Sequence, residues 1–226
     1  MEYMNEDIQE RIREWSRVKD NIFPVLVPGK KEQLNEAVWR SWQDLAVCYV
    51  VRLPQGGGYL QHLIIKQMLE EWGIKQPDMH EQAMENMFRD GYRVARVREV
   101  LTDLISSTRG PDGLDEFVER MMPDKRKSLY GLDDMDEMLV ISNRIMSYGA
   151  SVVLDGGFLK RVAGKRDMYI LPSSRHEMLL LPAKKGIRKK DLENMVQGMN
   201  RDHVLMEDRL SDSVYYYNAR KGRVEM

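Results

Sequence analysis

The chain has one cysteine, Cys48, in 226 residues, so neither an internal disulfide nor a cysteine-rich zinc site can form. A reducing cytoplasm fits that. It also has no apolar run near the roughly 18 to 20 residues that cross a bilayer. The opening MEYMNEDIQERIREW is acidic and polar, where a secretory leader is basic and then apolar. No membrane partner is expected. Nor is either charge in excess: 35 Lys and Arg against 36 Asp and Glu leave a net charge of -1, with no global pull toward nucleic acid or anionic lipid. The four histidines, His62, His80, His176 and His203, are scattered without ligand spacing, so no metal or other cofactor is expected.

What is present suits a folded protein. A hydrophobic content of 42% can bury a core at this length, and one domain over 1–226 is the simplest arrangement. Met4, Ile8, Ile12 and Trp15 fall on one helical face. NIFPVLVPG reads as a strand closed by Pro28 and Gly29, and KKEQLNEAVWRSW as a helix through Leu34, Ala37 and Val38. DLAVCYVVRL, rich in β-branched residues and followed by PQGGG, predicts a buried strand entering a turn, with YLQHLII as its return.

Helical pattern then takes over. KQMLEEWG stops at Gly73, DMHEQAMENMF opens on Asp78 as N-cap, and in YRVARVREVLTDLISS the residues Val94, Val97, Leu101, Leu104 and Ile105 keep the 3.6-residue period. Residues 107–134 carry turn residues around one short helical stretch and are expected to be a linker or flexible flap. Beyond them come strands DEMLVIS and ASVVL, helix GFLKRVAG, strands MYIL and EMLLLP, helix KKDLENMVQGMN and strand SVYYY. This order predicts an α+β fold, a mixed and largely antiparallel sheet packed with amphipathic helices.

The stretch MYILPSSRHEMLLLP invites a catalytic reading. A zinc protease needs a second histidine one turn after His176, and that position holds Leu180. A serine nucleophile needs a glycine-flanked elbow before a helix, and LPSSR has neither. A hairpin explains more: Pro172 fixes φ, Ser173 and Ser174 bond their own backbone, and MYIL and EMLLLP are too close for a parallel crossover. His176 and Glu177, adjacent on a strand, then face opposite sides.

Other motifs weaken on inspection. QGGGY lacks the residues of a P-loop, and the carboxylates of Asp133 to Glu137 lack the spacing of a calcium loop. Cys48 lies in an apolar strand whose burial raises its pKa and leaves it inert. From Lys160 to Lys190, ten basic side chains stand against two acidic ones, a local balance of +8. That segment could meet a protein or an anionic ligand, including nucleic acid, with Tyr215 to Tyr217 as stacking faces.

DLAVCYVV, EMLVISNR followed by YGASVVLDGGFLKRVAG, DMYILPSSRHEMLLLP and LSDSVYYY occur in this order. Together they resemble a bacterial domain-of-unknown-function family common in Firmicutes, with an ILPSS-x-HE hairpin and a closing LSD-x-VYYY strand. The likeness is strongest from Asp136 to Tyr217 and looser in LPQGGGYLQHLIIKQML. It implies a cytoplasmic bacterial protein and carries no activity, substrate or cofactor. The expected function is a non-enzymatic binding module. Its candidate surface comprises Ser173, Ser174, Arg175, His176, Glu177, Ser211, Asp212, Tyr215 and Tyr217. The alternative is a hydrolase gathering Ser174, His176, Glu177 and Asp212, which requires a hydroxyl about 3 Å from one imidazole nitrogen and a carboxylate on the other.

Overall fold

The structure, a computed structural model, describes residues 8, 10–29, 34–97, 99 and 138–226. Strand β3 (Leu45–Gln55) organises the first half, and its residues from Leu45 to Leu53 are all buried. It pairs on one side with β1 (Ile22–Pro28) and on the other with β2 (Trp39–Trp42) and then β4 (Gly58–Leu63). Burial on both faces turns an alternating pattern into a continuous apolar run. Leu45, Val47, Tyr49 and Val51 enter one cluster, while Ala46, Cys48 and Val50 enter another.

The second sheet has the order β10-β9-β7-β8-β6-β5. Its strands are β5 (Tyr92–Arg96), β6 (Leu139–Asn143), β7 (Met168–Ser174), β8 (Glu177–Pro182), β9 (Tyr215–Asn218) and β10 (Arg223–Glu225). Every pairing in both sheets is antiparallel. The fold is α+β as expected, but with two sheets and no parallel pair among the described residues. The main core joins them, since Ile22, Leu26 and Tyr49 share a cluster with Ile141, Ile170, Leu180 and Tyr215. Each such side chain taken out of water contributes about 1.5–3 kcal/mol.

Helices complete the layers. Short α1 (Trp15–Val18) follows Ile12, which is buried, with Ile8 and Trp15 packed against the core, while Met4 lies outside the described residues. Helix α2 (Lys66–Trp72) ends at Gly73, whose φ of 66° is the left-handed conformation a C-terminal stop favours. Helix α3 (Gln76–Asp90) starts earlier than expected: Lys75 is its N-cap, Pro77 lies in the first turn, and Asp78 supplies first-turn charge instead of a cap. Helix α4 (Gly156–Ala163) buries Phe158 and Leu159, and α5 (Lys189–Asp202) lays Leu192 and Val196 on Leu171 and Leu181 of the second sheet and on Val214 just before β9.

Three local expectations are corrected. The helix expected over 30–42 is not formed in its described part: Ala37 bridges Ile65, and Trp39 to Trp42 pair with β3. Tyr92 to Arg96, expected as the start of a helix, pair with β6. ASVVL, expected as a strand, belongs to the 3₁₀ helix Gly149–Leu154. Leu101, Leu104, Ile105, the 107–134 segment and the Asp133–Glu137 carboxylates lie outside the described residues. Among the described residues, no helix is long and apolar enough to cross a membrane.

Candidate functional site

β7 and β8 form the expected hairpin, but the chain turns later than the sequence suggested. Pro172 pairs with Met178 and Ser174 with Glu177 around a bulge, which leaves Arg175 and His176 as the turn itself. The serines are used locally. Ser173 Oγ donates to Glu177 Oε1 at 3.0 Å, and Ser174 Oγ accepts the His176 N–H at 3.1 Å.

The turn is seated in a polar socket. His176 Nδ1 accepts the Tyr148 N–H at 3.2 Å, so the ring proton sits on Nε2, which faces Asp208 Oδ1 at 3.2 Å. Arg175 Nε lies 2.7 Å from the same Asp208 oxygen, and its guanidinium stands 4.6 Å from the Tyr148 ring centre. The backbone joins in: Arg175 N–H donates to Asp208 O at 2.8 Å, and Ser142 Oγ donates to His176 O at 2.7 Å. Tyr148 holds a left-handed φ of 52°. Gly149 beside it has no room for a side chain, because a Cβ there would lie 2.7 Å from His176 O and overlap Ser142 Oγ.

This arrangement does not assemble the alternative, a hydrolase. Both imidazole nitrogens are engaged, one of them by a backbone amide where a nucleophile would have to stand. Ser174 touches the backbone instead of the ring, and the carboxylate at His176 is Asp208. Asp212 instead accepts from Asn200 Nδ2 at 2.7 Å. Sequence reasoning missed Tyr148 and Asp208, which approach His176 across intervals of 28 and 32 residues with no motif spacing to reveal them.

The closing tyrosines are also corrected. Tyr215 and Tyr217 are 0% and 1% exposed and belong to the core, so they offer no stacking face; only Tyr216 points outward, donating to Asp167 at 2.7 Å. Tyr215 OH donates to Asp44 Oδ1 at 2.6 Å, while Ser211 Oγ and Ser213 Oγ donate to Oδ2. Asp44 sits in the turn between β2 and β3, beside Gln43 with its left-handed φ of 54°. Partial burial raises the Asp44 pKa, but hydrogen bonds from Ser211, Tyr215 and Ser213 outweigh it and hold the carboxyl below its ordinary value. Burial, and then the same carboxylate, push the Tyr215 phenol far above its usual range.

Ser211 and Asp212 line a cleft of about 380 Å³ with Pro28, Asn200, Arg201, Met206 and Arg209. Asn200 is 5% exposed and braces one wall through Ser211 O at 3.1 Å as well as Asp212. Arg209 Nε secures the Val204 carbonyl at 2.9 Å. In the lining, Met206 is 83% exposed, and its chain neighbour Leu205 is 65% exposed. Met206 and Asp208 occupy one 3₁₀ turn, so the residue that lines the cleft is tied to the one that holds Arg175 and His176.

The basic 160–190 segment is less bare than its count suggests. Arg188 forms two bonds to Asp191, Lys189 and Lys190 approach Glu193, and Arg175 is paired with Asp208. Burial pushes the Cys48 thiol up to about 11, in keeping with an inert side chain.

A family of unknown function (DUF5688) matches this chain over residues 2–219. No curated protein and no solved structure matches it.

Proposed function

Because the chain belongs to the family of unknown function DUF5688, we propose its role from the site alone: a non-enzymatic binding module that takes a polypeptide segment at the cleft beside Met206. The observation that carries this reading is the pairing of a braced polar cleft with two strongly exposed apolar side chains, Met206 in its lining and Leu205 next to Met206 in the chain. Large apolar groups left in water beside a concavity favour a partner that covers them. Polar groups such as Asn200, Ser211 and Asp212 would fix the register of a bound backbone. Ser173, Ser174 and Glu177 serve the hairpin, while Arg175 and His176 act through Asp208 to set the turn that carries Met206. The protein would work as one domain in a bacterial cytoplasm of the Firmicutes type, a setting supported by its lone buried cysteine and by the resemblance of its ILPSS-x-HE and LSD-x-VYYY segments.

The test is retention of macromolecules from bacterial lysate by the full chain, by Met206→Asp, and by the double substitution Arg175→Glu with His176→Ala. The reading expects a protein that wild type retains, that both variants lose, and that then binds purified wild type in calorimetry. If no variant recruits a macromolecule and the double variant instead loses turnover of a small molecule, the module is wrong. Retention on heparin that falls steeply with salt would favour the basic segment and an anionic ligand.

A further inference from the structure

Among the described residues, five strands lie at sheet edges, and four of them are guarded. β1 carries Pro24 and Pro28 and has α3 packed along it. On β2 the Trp39 carbonyl accepts Gln76 Nε2 at 2.8 Å. β10 carries Arg223 and Glu225, and its Val224 carbonyl accepts Gln43 Nε2 at 3.0 Å. β5 carries Arg93 and Arg96, and the Arg96 N–H donates to Glu99 Oε2 at 3.2 Å. Proline, charge and side-chain caps of this kind are how sheets avoid pairing with other chains.

Among the described residues, β4 has none of them. Its sequence, GYLQHL, holds no proline and no Asp, Glu, Lys or Arg, and it pairs with β3 without a bulge from Val50↔Leu63 to Gln55↔Gly58. The Ile64 N–H donates to Tyr49 O at 2.8 Å, which fixes the alternation of the ladder. Counting back from Ile64, the backbone groups of His62, Leu60 and Gly58 face β3, and those of Leu63, Gln61 and Tyr59 face outward. Tyr59 is 53% and Leu63 43% exposed, so the residues with outward amides also present apolar side chains to water.

We propose that β4 pairs antiparallel with β4 of a second copy, centred on Gln61, so that two four-stranded sheets become one continuous sheet. The register is self-complementary. Tyr59 faces Leu63 of the other copy, Gln61 faces Gln61, and Leu63 faces Tyr59, which places outward-facing residue against outward-facing residue at every step. No like charges oppose each other along the strand, and each aromatic ring meets an aliphatic side chain, a favourable cross-strand pair. His62 falls opposite Leu60, and burial lowers its pKa, which keeps the imidazole neutral there. A contact of this length belongs to the size class of weak, concentration-dependent association.

The full chain should sediment as a monomer at low concentration and shift toward a dimer as concentration rises. Tyr59→Lys combined with Leu63→Lys sets like charges against each other twice and should abolish the shift. Tyr59→Lys combined with Leu63→Glu sets opposite charges against each other twice and should restore it, which separates this register from general stickiness or misfolding. Gln61→Cys should cross-link to itself under oxidation, given that Cys48 is buried. A monomer at every concentration overturns the proposal. So does a dimer unaffected by the double-lysine change, or one lost equally in both charge variants.

Discussion

Tyr215 and Tyr217 are alike in burial and opposite in hydrogen bonding. The Tyr215 hydroxyl serves Asp44, whereas the Tyr217 hydroxyl is buried with no partner among the described residues. Tyr217→Phe removes a desolvated, unpaired group, and urea unfolding should show stability unchanged or raised by about 1 kcal/mol. Tyr215→Phe should cost about 1–3 kcal/mol, because its bond runs to a carboxylate. Asp44 also gives the pH response a sign. Its folded pKa lies below the unfolded one, so the stability it contributes is fully present above about pH 4 and disappears as pH falls through the folded value. The stability gap between wild type and Asp44→Asn, followed by circular dichroism, should therefore shrink on acidification and stay constant from pH 5 to 7. Gly149→Ala should be severely destabilising, since the nearest obstacles include the Asn143 amide and the His176 carbonyl, which cannot swing away. At this scale the fate of Cys48 was legible from its apolar neighbours. The partnership of His176 with Asp208 was not, because nothing local in the sequence announces a contact made by folding.

Among the elements, helix α4 depends on Asp155 twice. One carboxylate oxygen accepts the Phe158 N–H at 2.9 Å as an N-cap, and the other accepts Tyr92 OH at 2.7 Å from the edge strand β5. Asp155→Ala should cost about 0.5–2 kcal/mol for the cap alone. A double-mutant cycle with Tyr92→Phe should give a non-zero coupling energy, and strict additivity would count against the shared carboxylate. The β7–β8 hairpin was readable because two apolar runs flank a polar gap too short for a parallel crossover, though its turn lies at Arg175–His176 because the bulge after Pro172 carries the strand further. The segments misread as helices, 39–42 and 92–96, pair with β3 and β6, and such pairing overrides local periodicity. ASVVL has strand-forming residues but coils into a 3₁₀ helix where Gly149 packs against the His176 carbonyl.

For the whole molecule, the α+β class followed from the order of elements, but the number of sheets did not, because one long apolar strand reads the same in either arrangement. The shared core makes a further claim testable. Leu180, 1% exposed, sits in the cluster that both sheets supply. Leu180→Ala should cost about 2–5 kcal/mol. Tryptophan fluorescence, reporting on Trp15, Trp39, Trp42 and Trp72, all in the first half of the chain, and circular dichroism should still give coincident transitions. Separate transitions would mean that the two sheets unfold independently.

The Asp44 clasp also has a consequence in time. The carboxylate leaves the ribosome first, and Ser211, Ser213 and Tyr215 follow 167 to 171 residues later. At about 5–20 residues per second, that gap lasts roughly 8 to 34 seconds of translation. Through this interval the nascent β2–β3 turn stays unlatched, and its strands must wait for those distant hydroxyls before the last stitch is drawn.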